Sequence, residues 1–258
     1  MKLKQLAASL ALAAAASTSF ATTVLPGSET SLQTIINGLY TCSDCSGTAA
    51  APDVNADQAN EVGQFQIEAS SGSIATMIIE VAGNSASNTF GIYDVNNASN
   101  YLQLFSGAAG AGYRSSLLVS VVNGAYKFTA TLYDELGDLV SVVQKTFSSS
   151  TFGYYLGSAS GPAFYSEATK NNGDDNMVAY QGDGDRIKVG DNDPAKWGSS
   201  SYILAWEDQA LSGSDKDYND LVVYVESVTP VPEPASLALL GLGLAGIAAA
   251  SRRKQKQA

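Results

Sequence analysis

The sequence predicts an all-β protein: an antiparallel β-sandwich or jelly-roll-like domain, flanked by an N-terminal signal peptide and a C-terminal transmembrane helix. Three observations carry that prediction. About eleven short apolar runs recur at roughly 8–12-residue spacing with turn residues between them. The chain of 258 residues has 24 glycines and 13 tyrosines and is rich in Ser, Ala and Val, which favours strands and turns over helices. Only Leu32 to Leu39 offers the spacing of an amphipathic helix. No repeat at a solenoid or propeller period is visible.

The strands are placed in chain order. Phe65 to Glu68 alternates apolar with polar, and Ile74 to Val81 is a longer, more buried run. Thr89 to Val95 follows a Ser/Asn stretch, and Tyr101 to Phe105 follows Asn96-Asn97. Ser116 to Val122 and Ala125 to Tyr133 are joined by Asn123-Gly124, the strongest short-range hairpin signal in the chain. Gly137-Asp138 then precedes Leu139 to Phe147. Phe152 to Leu156, Met177 to Tyr180, Tyr202 to Trp206 and Leu221 to Val228 complete the set. Four segments result: a signal peptide at 1–21, an irregular N-terminal extension with the cysteine pair at 22–61, the β-sandwich domain at 62–229 and a C-terminal tail at 230–258.

The two ends read as addresses. Lys2 and Lys4 precede the apolar run Leu6 to Ala16, and Ser19-Phe20-Ala21 presents small residues where signal peptidase cuts. At the other end Val231-Pro232-Glu233-Pro234 is followed by sixteen small or apolar residues, 235–250, and then by Ser251-Arg252-Arg253-Lys254. Sixteen helical residues span about 24 Å, slightly short of the ~30 Å hydrocarbon core. The positive-inside rule leaves the basic end in the cytoplasm and the body outside, in agreement with the signal peptide.

This tail resembles the PEP-CTERM protein-sorting signal of Gram-negative bacteria, in its Pro-Glu-Pro at 232–234, its Gly/Leu/Ala-rich helix and its Arg/Lys end. The resemblance implies sorting by exosortase, a membrane cysteine protease. It also implies an inner-membrane intermediate held by the C-terminal helix before processing, then delivery to the cell surface or extracellular polysaccharide. The alternative is a permanent tail anchor.

Charge narrows the function. Between Thr22 and Pro230 eight basic residues face 24 acidic ones, a net charge of -16. A body this acidic is a poor partner for phosphate backbones, so no nucleic-acid binding is expected. The chain has no histidine, which removes Ser-His-Asp and Cys-His catalysis and every His-ligated metal site. Cys42 and Cys45 are half a zinc site with nothing to complete it. In an oxidising compartment they are expected to form a local disulfide, with a labile redox pair as the alternative.

The densest local chemistry runs from Asp174 to Asp220: Asp174-Asp175, Gly182-Asp183-Gly184-Asp185, Asp191-Asn192-Asp193, Glu207-Asp208, and Asp215-Lys216-Asp217-Tyr218-Asn219-Asp220. Calcium takes six to eight oxygens, mostly carboxylate and carbonyl, and such runs supply them. An EF-hand is rejected. Its sixth position would be Asp220 rather than glycine, and a strand from Leu221 would carry Glu226 about 20 Å away at ~3.3 Å per residue. The competing reading makes these acids turn formers that bond nearby backbone amides.

The run Tyr202 to Asp208 followed by Gly213 to Val223 resembles the end of a bacterial domain of unknown function, the family numbered 4114. Its hallmark is an aromatic-Glu-Asp followed by Asp-x-Asp-Tyr-Asn-Asp; here Trp206 takes the aromatic place. The resemblance implies a β-rich extracellular module with no established reaction. Its motif positions are Glu207, Asp208, Asp215, Asp217, Asn219 and Asp220, and these six are the candidate calcium ligands.

The expected function is therefore a non-catalytic, exported surface or matrix protein. Its processing partners are signal peptidase and exosortase, calcium is its candidate cofactor, and an extracellular polysaccharide or protein is its candidate ligand. Tyr154, Tyr155, Trp197 and Tyr218 are candidates for stacking on sugars if exposed, although tyrosines at strand spacing more often pack in a core. A polysaccharide-acting enzyme with paired carboxylates is the alternative, although no nucleophile elbow, phosphate loop or metalloprotease helix is present. A matrix protein with no specific ligand is a third reading.

Overall fold

Each strand-like run of residues 62–229 lies in a strand, and the strands assemble into two facing sheets and a small two-stranded sheet of Arg186–Ile187 with Ala195–Lys196. The structure is a computed structural model. It describes residues 22–41, 45, 50–59, 62–68, 72–80, 87–158, 161–190 and 192–231, with backbone only at 76–80 and 158. The signal peptide, Cys42, the Pro-Glu-Pro at 232–234 and the apolar tail lie outside the described residues. Among the described residues no helix is long and apolar enough to cross a membrane.

The elements are α1 (Leu32–Leu39), β1 (Phe65–Ile67), β2 (Ser73–Glu80), β3 (Thr89–Asp94), β4 (Asn97–Phe105), β5 (Arg114–Val122), β6 (Ala125–Tyr133), β7 (Leu139–Phe147), β8 (Phe152–Ser158), β9 (Gly161–Tyr165), β10 (Met177–Gln181), β11 (Arg186–Ile187), β12 (Ala195–Lys196), β13 (Tyr202–Trp206), β14 (Leu221–Glu226) and β15 (Val228–Pro230). One sheet runs β15-β1-β8-β3-β4, with β9 also on β8; the other runs β10-β13-β14-β2-β5-β6-β7. Every described pairing is antiparallel. The Asn123-Gly124 hairpin forms as its sequence dictates. Both residues take positive φ, 52° and 80°, as the tight turn between β5 and β6 requires.

The sheets face each other across an aromatic core. Phe65 of β1 meets Tyr202 of β13 with ring centroids 5.9 Å apart, Phe90 of β3 meets Trp206 of β13 at 6.1 Å, and Phe152 of β8 meets Phe128 of β6 at 5.7 Å. These edge-on contacts use the favourable quadrupole geometry of aromatic pairs. Tyr154, Tyr155, Trp197 and Tyr218 are all at most 1% exposed, so the four aromatics considered for sugar stacking are core residues instead.

A second apolar core covers part of the outer face of the larger sheet. Val178, Tyr180, Ile203, Ala205, Val222 and Tyr224 point away from the sandwich and meet Leu32, Ile35, Ile36 and Leu39 of α1, together with Trp197, Ile187 and Val189 around β11 and β12. This explains why β13 and β14 read as unbroken apolar runs: both of their faces are buried. The helix starts on the Ser31 side chain, which accepts from the Thr34 amide at 3.3 Å. The stretch read as an N-terminal extension thus contributes a helix to the domain's packing. Among the described residues none gives the β5–β7 end such cover, and Leu139, Val140, Val142 and Val143 of β7 are all exposed.

Candidate functional site

The loop between β13 and β14 carries the six candidate ligands, and the β-ladder brings its two ends together. Trp206 pairs with Leu221, so Glu207-Asp208 and Asn219-Asp220 leave neighbouring strands side by side. Among the described residues Glu207, Asp215 and Asp217 form a group in which one carboxylate oxygen from each lies within 4.8 Å of the other two. Two oxygens on opposite sides of a calcium ion at ~2.4 Å are about 4.8 Å apart, so this spacing suits one shared ion. Glu207 is 0% and Asp217 2% exposed, and Asp215 is open to solvent.

The hydrogen bonds leave specific oxygens over. Glu207 Oε1 accepts from the Tyr218 amide at 2.7 Å, but the buried Oε2 has no partner. Asn219 donates through Nδ2 to Asp217 Oδ2 at 2.7 Å and to the Thr30 carbonyl at 3.0 Å, leaving its buried Oδ1 unpartnered. Ser214 Oγ is likewise buried without a partner. No ion pair of Glu207, Asp215 or Asp217 is present among the described residues. Buried oxygens without donors are costly and uncommon in native proteins, and a bound cation satisfies them.

Two backbone features shape the loop. Lys216 and Tyr218 both take left-handed φ, 61° and 53°, on either side of Asp217. This conformation costs a non-glycine residue ~1–2 kcal/mol and persists only where surroundings impose it. Tyr218 is held by its hydroxyl, which donates to the Asp175 carbonyl at 2.6 Å. The N-terminal segment forms the facing wall. The Leu25 amide donates to the Lys216 carbonyl at 2.8 Å, and Gly27 lies so close to Asp217 Oδ2 that a Cβ there would overlap it. Nothing in the sequence announced these contacts, because they join segments about 190 residues apart.

Asp208 and Asp220 lie beside the trio in a different role. Asp220 Oδ2 accepts from the Asp208 amide at 2.9 Å, and Asp208 Oδ2 accepts from Asn88 Nδ2 at 3.1 Å. The pair closes the mouth of the loop. Burial and then the neighbouring acids raise two carboxyls. Asp217 is pushed up to about 6 by desolvation, then by the charges of Asp215, Glu207 and Glu29; Asp220 is pushed up to about 7 by desolvation, then by Asp208, Glu207 and Asp217.

Of the other acidic runs, Asp174-Asp175 borders the loop through the Asp175 carbonyl, Asp183 and Asp185 lie in the turn after β10, and Asp191 lies outside the described residues. Asp183 Oδ1 accepts from the Asp185 amide at 3.0 Å in the turn before β11, while Asp175 Oδ2 accepts from Thr22 Oγ1 at 3.1 Å. Glu226 sits on β14, as the rejection of an EF-hand required. Cys45 is not a free thiol; Cys42 lies outside the described residues.

Two family models match the chain: the PEP-CTERM protein-sorting motif over residues 230–254, and the Domain of unknown function (DUF4114) over residues 138–228. The chain carries both. The DUF4114 match spans β7 to β14 and the first residue of β15, and so includes the whole acidic loop. The wall formed by Leu25, Gly27 and Thr30 lies outside that match, as do α1 and β1 to β6. The PEP-CTERM motif marks the chain as exported and sorted by exosortase in a Gram-negative bacterium. No curated protein and no solved structure matches the chain.

Proposed function

We propose that this protein is a non-catalytic component of the cell surface or extracellular matrix, whose sandwich is closed by one calcium ion in the β13–β14 loop. The observation that carries the reading is the convergence of Glu207, Asp215 and Asp217 with the unpartnered, buried Glu207 Oε2 and Asn219 Oδ1 beside them. Asp217 and Glu207 hold the ion from opposite chain segments, Asn219 Oδ1 adds a neutral oxygen, and Asp215 completes the charge from the solvent side. Hard oxygen ligands without nitrogen or sulfur suit calcium.

The ion has a structural task here. It joins the β13 end to the β14 end and fixes Asp217 against Gly27, which ties the N-terminal segment to the sandwich. A catalytic carboxylate pair must admit a sugar between its members. Glu207 and Asp217 are too enclosed for that, which favours the non-catalytic reading.

Calorimetric titration with calcium, with magnesium as the comparison, tests the metal assignment. One calcium per chain, lost in Asp217→Ala, is the expected outcome; no heat, or binding unchanged by that substitution, overturns it. Fractionation of cells with and without exosortase tests the destination. Loss of the protein from the outer surface and the matrix fraction in the deficient cells is expected.

A further inference from the structure

The sorting motif and the fold share residues. The PEP-CTERM match begins at Pro230, yet Pro230 is the last residue of β15 and pairs with Phe65, while the Val231 amide donates to the Gln64 carbonyl at 2.8 Å. The sheet therefore holds the chain up to the residue immediately before Pro232, with no spacer between module and motif. A cleft that takes an extended peptide uses its backbone groups and its side chains on both faces. Residues 230–231 cannot serve the β1 edge and such a cleft at the same time.

We propose that β15 is a gate on tail processing: exosortase engages the motif only in molecules whose β15 has left the sheet. Three features make this strand releasable. It is the edge of its sheet, and its ladder with β1 is three residue pairs long, extended by one backbone hydrogen bond at each end. β1 is itself three residues long, and among described pairs it joins β8 only at Phe65↔Phe152. The junction with β14 is Ser227, a non-glycine residue at φ 59°, so the chain already bends sharply where a hinge is needed. Opposing release are the Val228 side chain, 0% exposed in the sandwich core, and its amide, which donates to the Ser200 carbonyl at 3.0 Å. Terminal edge elements of this kind open far more readily than the whole domain. The proposal rests on the sorting reading but is separable from it.

The test follows tail loss by mass in exosortase-containing cells, using the full chain. In one variant a flexible Gly/Ser octapeptide and a second Thr-Pro-Val are inserted between Val231 and Pro232. β15 can then stay docked while a complete motif hangs free. If the strand is open about one tenth of the time, processing should quicken about tenfold. Val228→Ala, which loosens the anchor, should quicken it less. Gln66→Cys with Thr229→Cys, paired in the ladder, should slow it while oxidised and release it on reduction. The spacer variant processed no faster than the parent overturns the gate and leaves the sorting reading intact. A parent chain that never loses its tail in these cells overturns both.

Discussion

Replacing Ile36 by alanine tests whether the N-terminal stretch is part of the folding unit. Ile36 is 0% exposed in the second core, on the helix face that covers β10, β13 and β14. The substitution removes three buried carbons, about 2.4 kcal/mol at ~0.8 kcal/mol each. The cavity left behind adds to this, since a single helix over a flat sheet can close only part of it. A total of about 3 kcal/mol falls within the usual range for such truncations. In a domain of about 210 residues this lowers the melting temperature by about 6–12 °C. Urea unfolding followed by tryptophan fluorescence is the assay of choice. Trp206 lies in the sandwich core and Trp197 in the second core, so the signal samples both. One cooperative transition, shifted by about 3 kcal/mol, is the expected result. A loss below ~0.5 kcal/mol, as for a surface residue, would refute the reasoning and make residues 22–61 an appendage.

Three further outcomes follow. Gly153→Ala places a Cβ inside the Tyr93 ring, which cannot swing away without breaking its 2.5 Å hydrogen bond to Glu167 Oε2; a loss of about 1–3 kcal/mol by urea unfolding is expected. Val142→Thr, on the open β7, should change stability by less than about 0.5 kcal/mol by the same measurement. The metal-free protein should lose stability as pH rises from about 4 to about 7, because the folded state holds protons on Asp217 and Asp220 that the unfolded state has already released; calcium should reverse this slope, which melting curves at stepped pH with and without the ion will show.

Most strands were legible because local turn chemistry and apolar period agreed. Ala125–Tyr133, Leu139–Phe147 and Tyr202–Trp206 begin and end where their runs do, and α1 follows the spacing of Leu32, Ile35, Ile36 and Leu39. β11 and β12 went unseen because two-residue strands have no period to read. The run Leu221 to Val228 read as one strand but divides at Ser227, where the chain passes from one sheet to the other. No local signal marks that change, since serine is rarely left-handed. The apolar run of β7 forms the strand expected of it, and its valines face solvent at the end of the sheet. In the site, residue types marked the acidic segment, and the resemblance to the family numbered 4114 named the six positions within it. Their division into a convergent trio, an amide beside it and a pair closing the loop depends on the β13–β14 register and on Gly27, which are tertiary facts.

Thermal unfolding of residues 22–231 in calcium and then in excess EDTA tests the central claim most directly. At a hundredfold excess over Kd the ion contributes about 2.7 kcal/mol, a rise of about 5–11 °C. The account predicts that rise for calcium, and its disappearance in the Asp215→Ala, Asp217→Ala double variant. An identical melting temperature with and without calcium would contradict it and reduce Glu207, Asp215 and Asp217 to elements of a strained turn.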